Sequence, residues 1–203
     1  MDNRVFLSEL EEDFLGELFN MGVGKSANAL SQMLGQTIEM TVPDIEVLPI
    51  HDFNLQQSQY FPLCCVSQQV SGAFDAVSML VFPHNTSLNV VAMMMGEQLP
   101  AEALIELQEE AMSEMGNVVL NACMGDISNV IGDSIFLELP TYRLAISDLL
   151  IDEHEAKGDV VIHMNIKLII SSSKESGSLL LILDPRALPK LKVVLNNYIN
   201  AYS

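Results

Sequence analysis

Apolar residues fall at helical spacing from about Leu7 to Leu34, with Leu10, Phe14, Leu18 and Met21 recurring every three or four positions. Gly35 is placed to stop that helix. The period then changes to two. In QTIEMTVP, Ile38, Met40 and Val42 share one face of a strand that ends at Pro43. Further strands are expected over 45–50, 60–70 and 73–82. A helix starting at Asn85 or Ser87 should run through VVAMMM and stop at Gly96, and those methionines fit a core helix. LPAEALIELQEEAMSEMGNVVLNACMGDISNVIG reads as a second long helix, and DSIFLELP as a second alternating strand. Strands near 143–150, 159–171 and 177–184 follow, and a helix from about Pro185 closes the chain.

This order contains a repeat. Glu17, Asn20, Gly35 and Pro43 reappear as Glu114, Asn117, Gly132 and Pro140, every pair 97 positions apart and without a gap. VSMLVFP before one short helix and LLLILDP before the other extend the likeness more loosely. The expected fold is α+β: a single domain over 1–203, made of two α-β-β-β-α-like halves at about 7–97 and 101–203 related by a pseudo-twofold axis.

Composition narrows the function. Apolar residues make up 49% of the chain, enough to build a core. The formal net charge of −18 disfavours nucleic acid and anionic membranes, which need clustered Lys and Arg, and favours a basic protein patch as partner. The start, MDNRVFLSELEEDF, lacks the basic and apolar regions of a signal peptide, and no apolar run approaches a membrane span, so a cytoplasmic location is expected. Cys64, Cys65 and Cys123 show no metal or disulfide spacing and read as buried thiols, with Cys64 and Cys65 on opposite faces of a strand. His51, His84, His154 and His163 have no ligand spacing either, so no metal site is expected. GVGKS suggests a phosphate loop, but that loop requires Gly where Phe19 stands, and its flank is acidic and helical. Lys25 and Asp126 fall toward the apolar sides of their helices, where the pattern gives them no role.

Asp13, Glu17, Asn20 and Gly24 lie within about 60° of the first helix surface. A narrow stripe of carboxylate, amide and glycine suits contact with another macromolecule, since the glycine lets a partner approach the backbone. Glu110, Glu114, Asn117 and Asn121 form the corresponding stripe on the second helix. A lone Glu-x-x-Asn is ordinarily just a solvated helix face. Its recurrence with the same spacing to a proline makes that reading weaker.

Asp13-x3-Glu17-x2-Asn20-x22-Pro43 and Glu110-x3-Glu114-x2-Asn117-x22-Pro140 resemble the signature of the CheC/CheX/FliY family of chemotaxis phosphatases. The resemblance covers nearly the whole chain, and the two copies make it more like CheC or FliY than CheX. It implies a central antiparallel sheet flanked by helices. It also implies hydrolysis of the aspartyl phosphate of a CheY-like receiver that carries its own Mg²⁺, with no cofactor on this chain. Glu17 and Glu114 would pair with the receiver's active-site lysine. An Asn amide offers donors and an acceptor, so Asn20 and Asn117 are candidates to hold the attacking water. Pro43 and Pro140 would shape the exit from each strand. Glu110 departs from the usual Asp or Ser, which puts the second copy's chemistry in question. The stretch TYRLAISDLLIDEHEAKGDVV lacks the long helix with which CheC proteins bind CheD, so CheD is not an expected partner. The end of the chain at Ser203 favours a stand-alone phosphatase over a longer FliY-type switch protein. A non-catalytic adaptor for a receiver or flagellar switch component is the second reading.

Overall fold

Ser8 starts the first helix. Its hydroxyl accepts from the Glu11 backbone N–H at 3.3 Å, while the Glu11 carboxylate accepts from the Ser8 N–H at 2.6 Å, a reciprocal capping box. The structure, a computed structural model, describes residues 6–53, 62–96, 99–146, 160–170 and 173–202. In chain order it contains α1 (Glu9–Leu34), β1 (Ile38–Thr41), β2 (Ile45–Pro49) and a 3-10 turn at Ile50–Asp52. Then come β3 (Leu63–Gly72), β4 (Ala76–Pro83), α2 (His84–Met95) and α3 (Ala101–Ile131). β5 (Ile135–Leu137), β6 (Thr141–Ala145), β7 (Val160–Ile170), β8 (Ser173–Leu183) and α4 (Ala187–Tyr202) complete it. Gly35 and Gly132 end the two long helices in the left-handed region, at φ 64° and 67°.

Some elements differ from the sequence expectation. α2 begins at His84, directly after Pro83, and neither Asn85 nor Ser87 caps it. Ser87 is buried, donating its hydroxyl to the His84 carbonyl at 2.7 Å. In α1 the buried stripe is Leu15, Leu18, Phe19, Gly22, Val23, Ser26, Ala27 and Leu30, while Leu10 and Met21 face solvent. The second alternating strand is only three residues long. Among the described residues each half contributes a helix, four strands and a helix, which agrees with the strands read one by one from the pattern and is one strand more than the α-β-β-β-α outline. The expected end of the strand near 150 and most of the stretch bearing on CheD lie outside the described residues.

The strands form one antiparallel sheet in the order β1-β7-β8-β4-β3-β5, with β2 also on β7 and β6 also on β3. The halves are therefore interlaced. β1 and β2 of the first half pair with β7 of the second, β5 and β6 of the second pair with β3 of the first, and β4 joins β8 between them. All four helices contribute to a core on one face of the sheet, against residues such as Cys64, Val66, Leu80, Ile162 and Leu181. The other face carries a smaller cluster in which Ile50 and Phe53 cover Cys65, Met79, Val81 and Leu180. Cys64 and Cys65 thus lie on opposite faces, as strand geometry requires. Burial raises their thiols to about 11 and about 12, so both stay protonated and inert at neutral pH.

Two devices fix the long helices. At the α1–α3 crossing, Gly22 lies against Cys123 so closely that a Cβ on Gly22 would stand 2.6 Å from the Cys123 Cα. Nearby, Lys25 of α1 pairs with the buried Asp126 of α3, which accounts for both residues as a pin between the helices. Near each helix start a buried polar side chain reaches the closing helix of the other half. Glu11 accepts from Asn196 of α4 at 2.7 Å, and Gln108, 97 positions later, meets Ser87 and His84 of α2.

Burial alone would raise the Glu11 carboxyl. Ser8, Asn196 and the Lys192 charge outweigh that effect and hold it below the ordinary glutamate range. With the folded value depressed, the contribution is complete above the unfolded glutamate range and is lost as pH falls through the folded value. Glu11→Ala should destabilise the protein by about 1–3 kcal/mol at pH 7. It should also flatten the loss of stability on acidification. Denaturant titrations followed by circular dichroism from pH 7 to pH 3 check both.

Candidate functional site

The polar stripe of α1 faces away from the core. Asp13, Glu17 and Gly24 are exposed and Asn20 is half-buried at the stripe's inner edge. Over Gly24 there is open space, since a Cβ there would meet nothing within 4 Å. Gly22, outside the predicted stripe, is the glycine on which packing depends.

Asn20 is held by the sheet edge. Its amide donates to the Val42 carbonyl at 2.9 Å, and its carbonyl accepts from the Val42 N–H at 2.8 Å. The reason lies in the register. β1 and β2 pair with the same strand, Thr41 opposite Lys167 and Ile45 opposite Met164, so Val42, Pro43 and Asp44 stand across from only Asn165 and Ile166. That one-residue excess is a bulge. Proline suits it because no ladder N–H is needed there. The bulge frees the Val42 backbone to receive Asn20, while Asn165 donates to Asp44 at 2.7 Å on the other side. After these bonds, Asn20 still has one N–H and one carbonyl lone pair to offer.

The second site has the same bulge and different wiring. Leu137 pairs with Val70 and Thr141 with Ser67, so residues 138–140, ending in Pro140, stand across from Gln68 and Gln69. Leu139 is 88% exposed where its counterpart Val42 is 4% exposed. Asn117 reaches the bulge through an intermediary. The buried Gln68 donates to the Asn117 side-chain oxygen at 3.2 Å and to the Glu138 carbonyl at 3.0 Å. Asn121 donates to the same Asn117 oxygen at 2.7 Å and to the Asn117 backbone carbonyl at 2.6 Å. Glu110 and Glu114 are exposed along the helix, and Pro140 is half-buried.

The structure therefore brings Asn20 to the residue before Pro43, and Asn117 to Asn121, Gln68 and the bulge before Pro140. Asp13, Glu17, Glu110 and Glu114 stand free of the bulges on their helix faces. Sequence reasoning missed Gln68, although a signal was present. Val66, Gln68 and Val70 alternate on the row of β3 that faces the helices, so a polar side chain sits among inward positions. The surroundings are acidic. α1 carries five carboxylates against one lysine, and α3 carries six acidic residues and no basic one. Among the described residues no three His, Cys, Asp or Glu side chains are grouped to hold a metal, and no helix is long and apolar enough to cross a membrane.

Residues 10–47, which include Asp13, Glu17, Asn20, Gly24 and Pro43, match the model of the CheC-like family. The flagellar motor switch phosphatase FliY of Bacillus subtilis is 28% identical over 156 residues, covering 75% of this chain. The chain spans 39% of that relative's length. In fold, the crystal structure of Thermotoga maritima FliY matches with a TM-score of 0.74 at 20% identity, over 95% of this chain and 98% of that one. CheX in its complex with CheY, BeF3 and Mg from Borrelia burgdorferi matches at 0.52 and 16% identity, over 82% and 96%. FliM in a Helicobacter pylori FliM–SpeE complex matches at 0.69 and 9% identity, over 95% and 97%. The chain is thus an α+β domain with a fold like that of FliY and a CheC-like segment at residues 10–47. Its sequence at residues 10–47 and its fold are both similar to those of CheC-like proteins and FliY.

Proposed function

We propose that this protein hydrolyses the aspartyl phosphate of a CheY-like receiver, using its two Glu-x-x-Asn faces. The observation that carries the reading is the doubled site: two helices present Glu and Asn at the same spacing, each Asn fixed to a proline-bearing bulge. An acyl phosphate is already activated, and its leaving group is a carboxylate. Positioning a water in line with phosphorus then supplies most of the catalysis still required. The water oxygen bonds to phosphorus as the bond to the aspartate oxygen breaks, giving free aspartate and inorganic phosphate, which takes up the water's proton. Asn20 has a donor and an acceptor free for that water. Glu17 and Glu114 dock against the receiver's active-site lysine, and the acidic helices steer a basic surface toward them. The receiver supplies the Mg²⁺. The name of the Bacillus relative and the CheX–CheY complex support a phosphatase that meets a CheY-like protein.

The fold shared with FliM supports a second reading, a non-catalytic adaptor of the flagellar switch. One experiment separates the two. CheY-like receivers from the same genome are phosphorylated, and their decay is timed with and without catalytic amounts of this protein. A shortened lifetime for at least one receiver is the expected result. Unchanged decay for all of them leaves the adaptor.

A further inference from the structure

The geometry points to Gln68 as a positioning residue for Asn117, one that fixes the second site through a relay the first site does not use; this rests on the phosphatase reading of that site. The two asparagines occupy equivalent places but are held by different partners. Asn20 bonds directly to the Val42 backbone in its bulge. Asn117 has its side-chain oxygen bonded to Gln68, and Gln68 in turn bonds the Glu138 carbonyl in the corresponding bulge. By register, the residue in the other half that corresponds to Gln68 is Ile166, which is fully buried and apolar. In that half the direct bond makes a relay unnecessary.

Gln68 is 3% exposed, and its own carbonyl oxygen has no hydrogen-bond partner. Burying an unpaired amide oxygen is costly, and a valine or isoleucine would pack in that row at no such cost. The amide orientation is set by its neighbours. Asn117 Oδ1 and the Glu138 carbonyl are both acceptors, so the NH2 group of Gln68 must face them. That in turn sets Asn117, whose oxygen is drawn to the sheet and whose NH2 is left for the reacting groups. Asn121 is exposed and can exchange its bond to Asn117 with water at little cost. When it does, a lone pair on the Asn117 oxygen becomes available to a water while Gln68 retains the other. Gln68 thus keeps Asn117 aligned without touching substrate.

The test isolates the second site in a Glu17→Ala, Asn20→Ala background and compares Gln68 with Gln68→Met, which keeps length and removes both donated bonds. Circular dichroism and a thermal melt confirm folding. The expected result is a fall in kcat of about tenfold or more, the scale set by misplacing a positioning group. KM for the receiver should stay within about twofold, because Glu114 still docks. The change should add nothing once Asn117 is Ala. Gln68→Glu, which sets a carboxylate against two acceptors, should be at least as damaging. Unchanged kcat in Gln68→Met overturns the proposal, as does a background without turnover when the wild type is active. If the wild type itself fails to hydrolyse any receiver, the phosphatase reading fails separately, and side-chain amide NMR decides. The Asn117 NH2 signals, identified by their loss in Asn117→Ala, should shift and broaden in Gln68→Met. Unmoved signals overturn the relay.

Discussion

Replacing both Asn20 and Asn117 by Ala should lower turnover of phosphorylated receiver by about a hundredfold or more while leaving receiver binding nearly intact. A group that only positions the water contributes in the transition state, so its loss appears in kcat. Replacing both Glu17 and Glu114 by Ala should also weaken binding, by about 1–3 kcal/mol for partly desolvated charged contacts. The two asparagine variants should differ from each other in stability. Asn20→Ala leaves the Val42 N–H and carbonyl without their partner. Asn117→Ala removes only contacts to side chains and to its own helix. Asn20→Ala should therefore melt at the lower temperature. Each single-half variant, such as Glu17→Ala with Asn20→Ala, should retain turnover through the other half. The measurements are steady-state kinetics beside a titration with a receiver carrying a stable phosphoryl mimic. Full activity in the variant lacking both Glu and both Asn residues would remove the mechanism altogether.

A large loss of stability is expected from Gly22→Ala. The added Cβ would stand 2.6 Å from Cys123 Cα and 2.9 Å from Cys123 N, backbone atoms that no side-chain rotation can clear. The two long helices would have to separate at their crossing, for a net destabilisation of about 3 kcal/mol even though Ala favours the helix. Gly24→Ala is the matched contrast. Nothing lies within 4 Å of its Cβ position, so it should stabilise the helix by about 0.5–1 kcal/mol. If a receiver approaches the backbone at Gly24, the same methyl should weaken binding. Thermal melts and receiver titrations of the two variants show which glycine serves packing and which serves docking. Equal melting temperatures would contradict the close crossing.

Much of this arrangement was legible in the sequence, and the gaps have identifiable causes. The 97-residue repeat gave both site helices and both prolines, because Glu, Asn, Gly and Pro kept their spacing through the chain. Gly35 and Gly132 marked helix ends because their left-handed conformation suits glycine. The buried stripe of α1 was harder to read. Leu10 and Met21 fit the helical period but face solvent, while Gly22 and Ser26, which carry little hydrophobic signal, are buried. Gln68 sits in β3, between the sites in sequence and far from either signature. Its bonds to Asn117 and Glu138 span 49 and 70 positions, which no local pattern encodes. Asp126 is buried on the apolar side of its helix as the pattern suggests, whereas Lys25 is exposed rather than on an apolar face, and only the crossing of the helices makes them a pair.

The interlaced sheet also dictates an order of events at the ribosome. Ile38 finds its partner only when Ile170 has been made, 132 positions later, and Ile45 must likewise wait for Met164. Until then β1 and β2 emerge as unpaired edges, able to pair with the same segments of another nascent chain. The hairpin of β3 and β4 can close early, because its strands adjoin in sequence, whereas the outer strand next to Asn20 cannot. The first Glu-x-x-Asn face is thus translated first and completed last, and high contact order makes that completion slow.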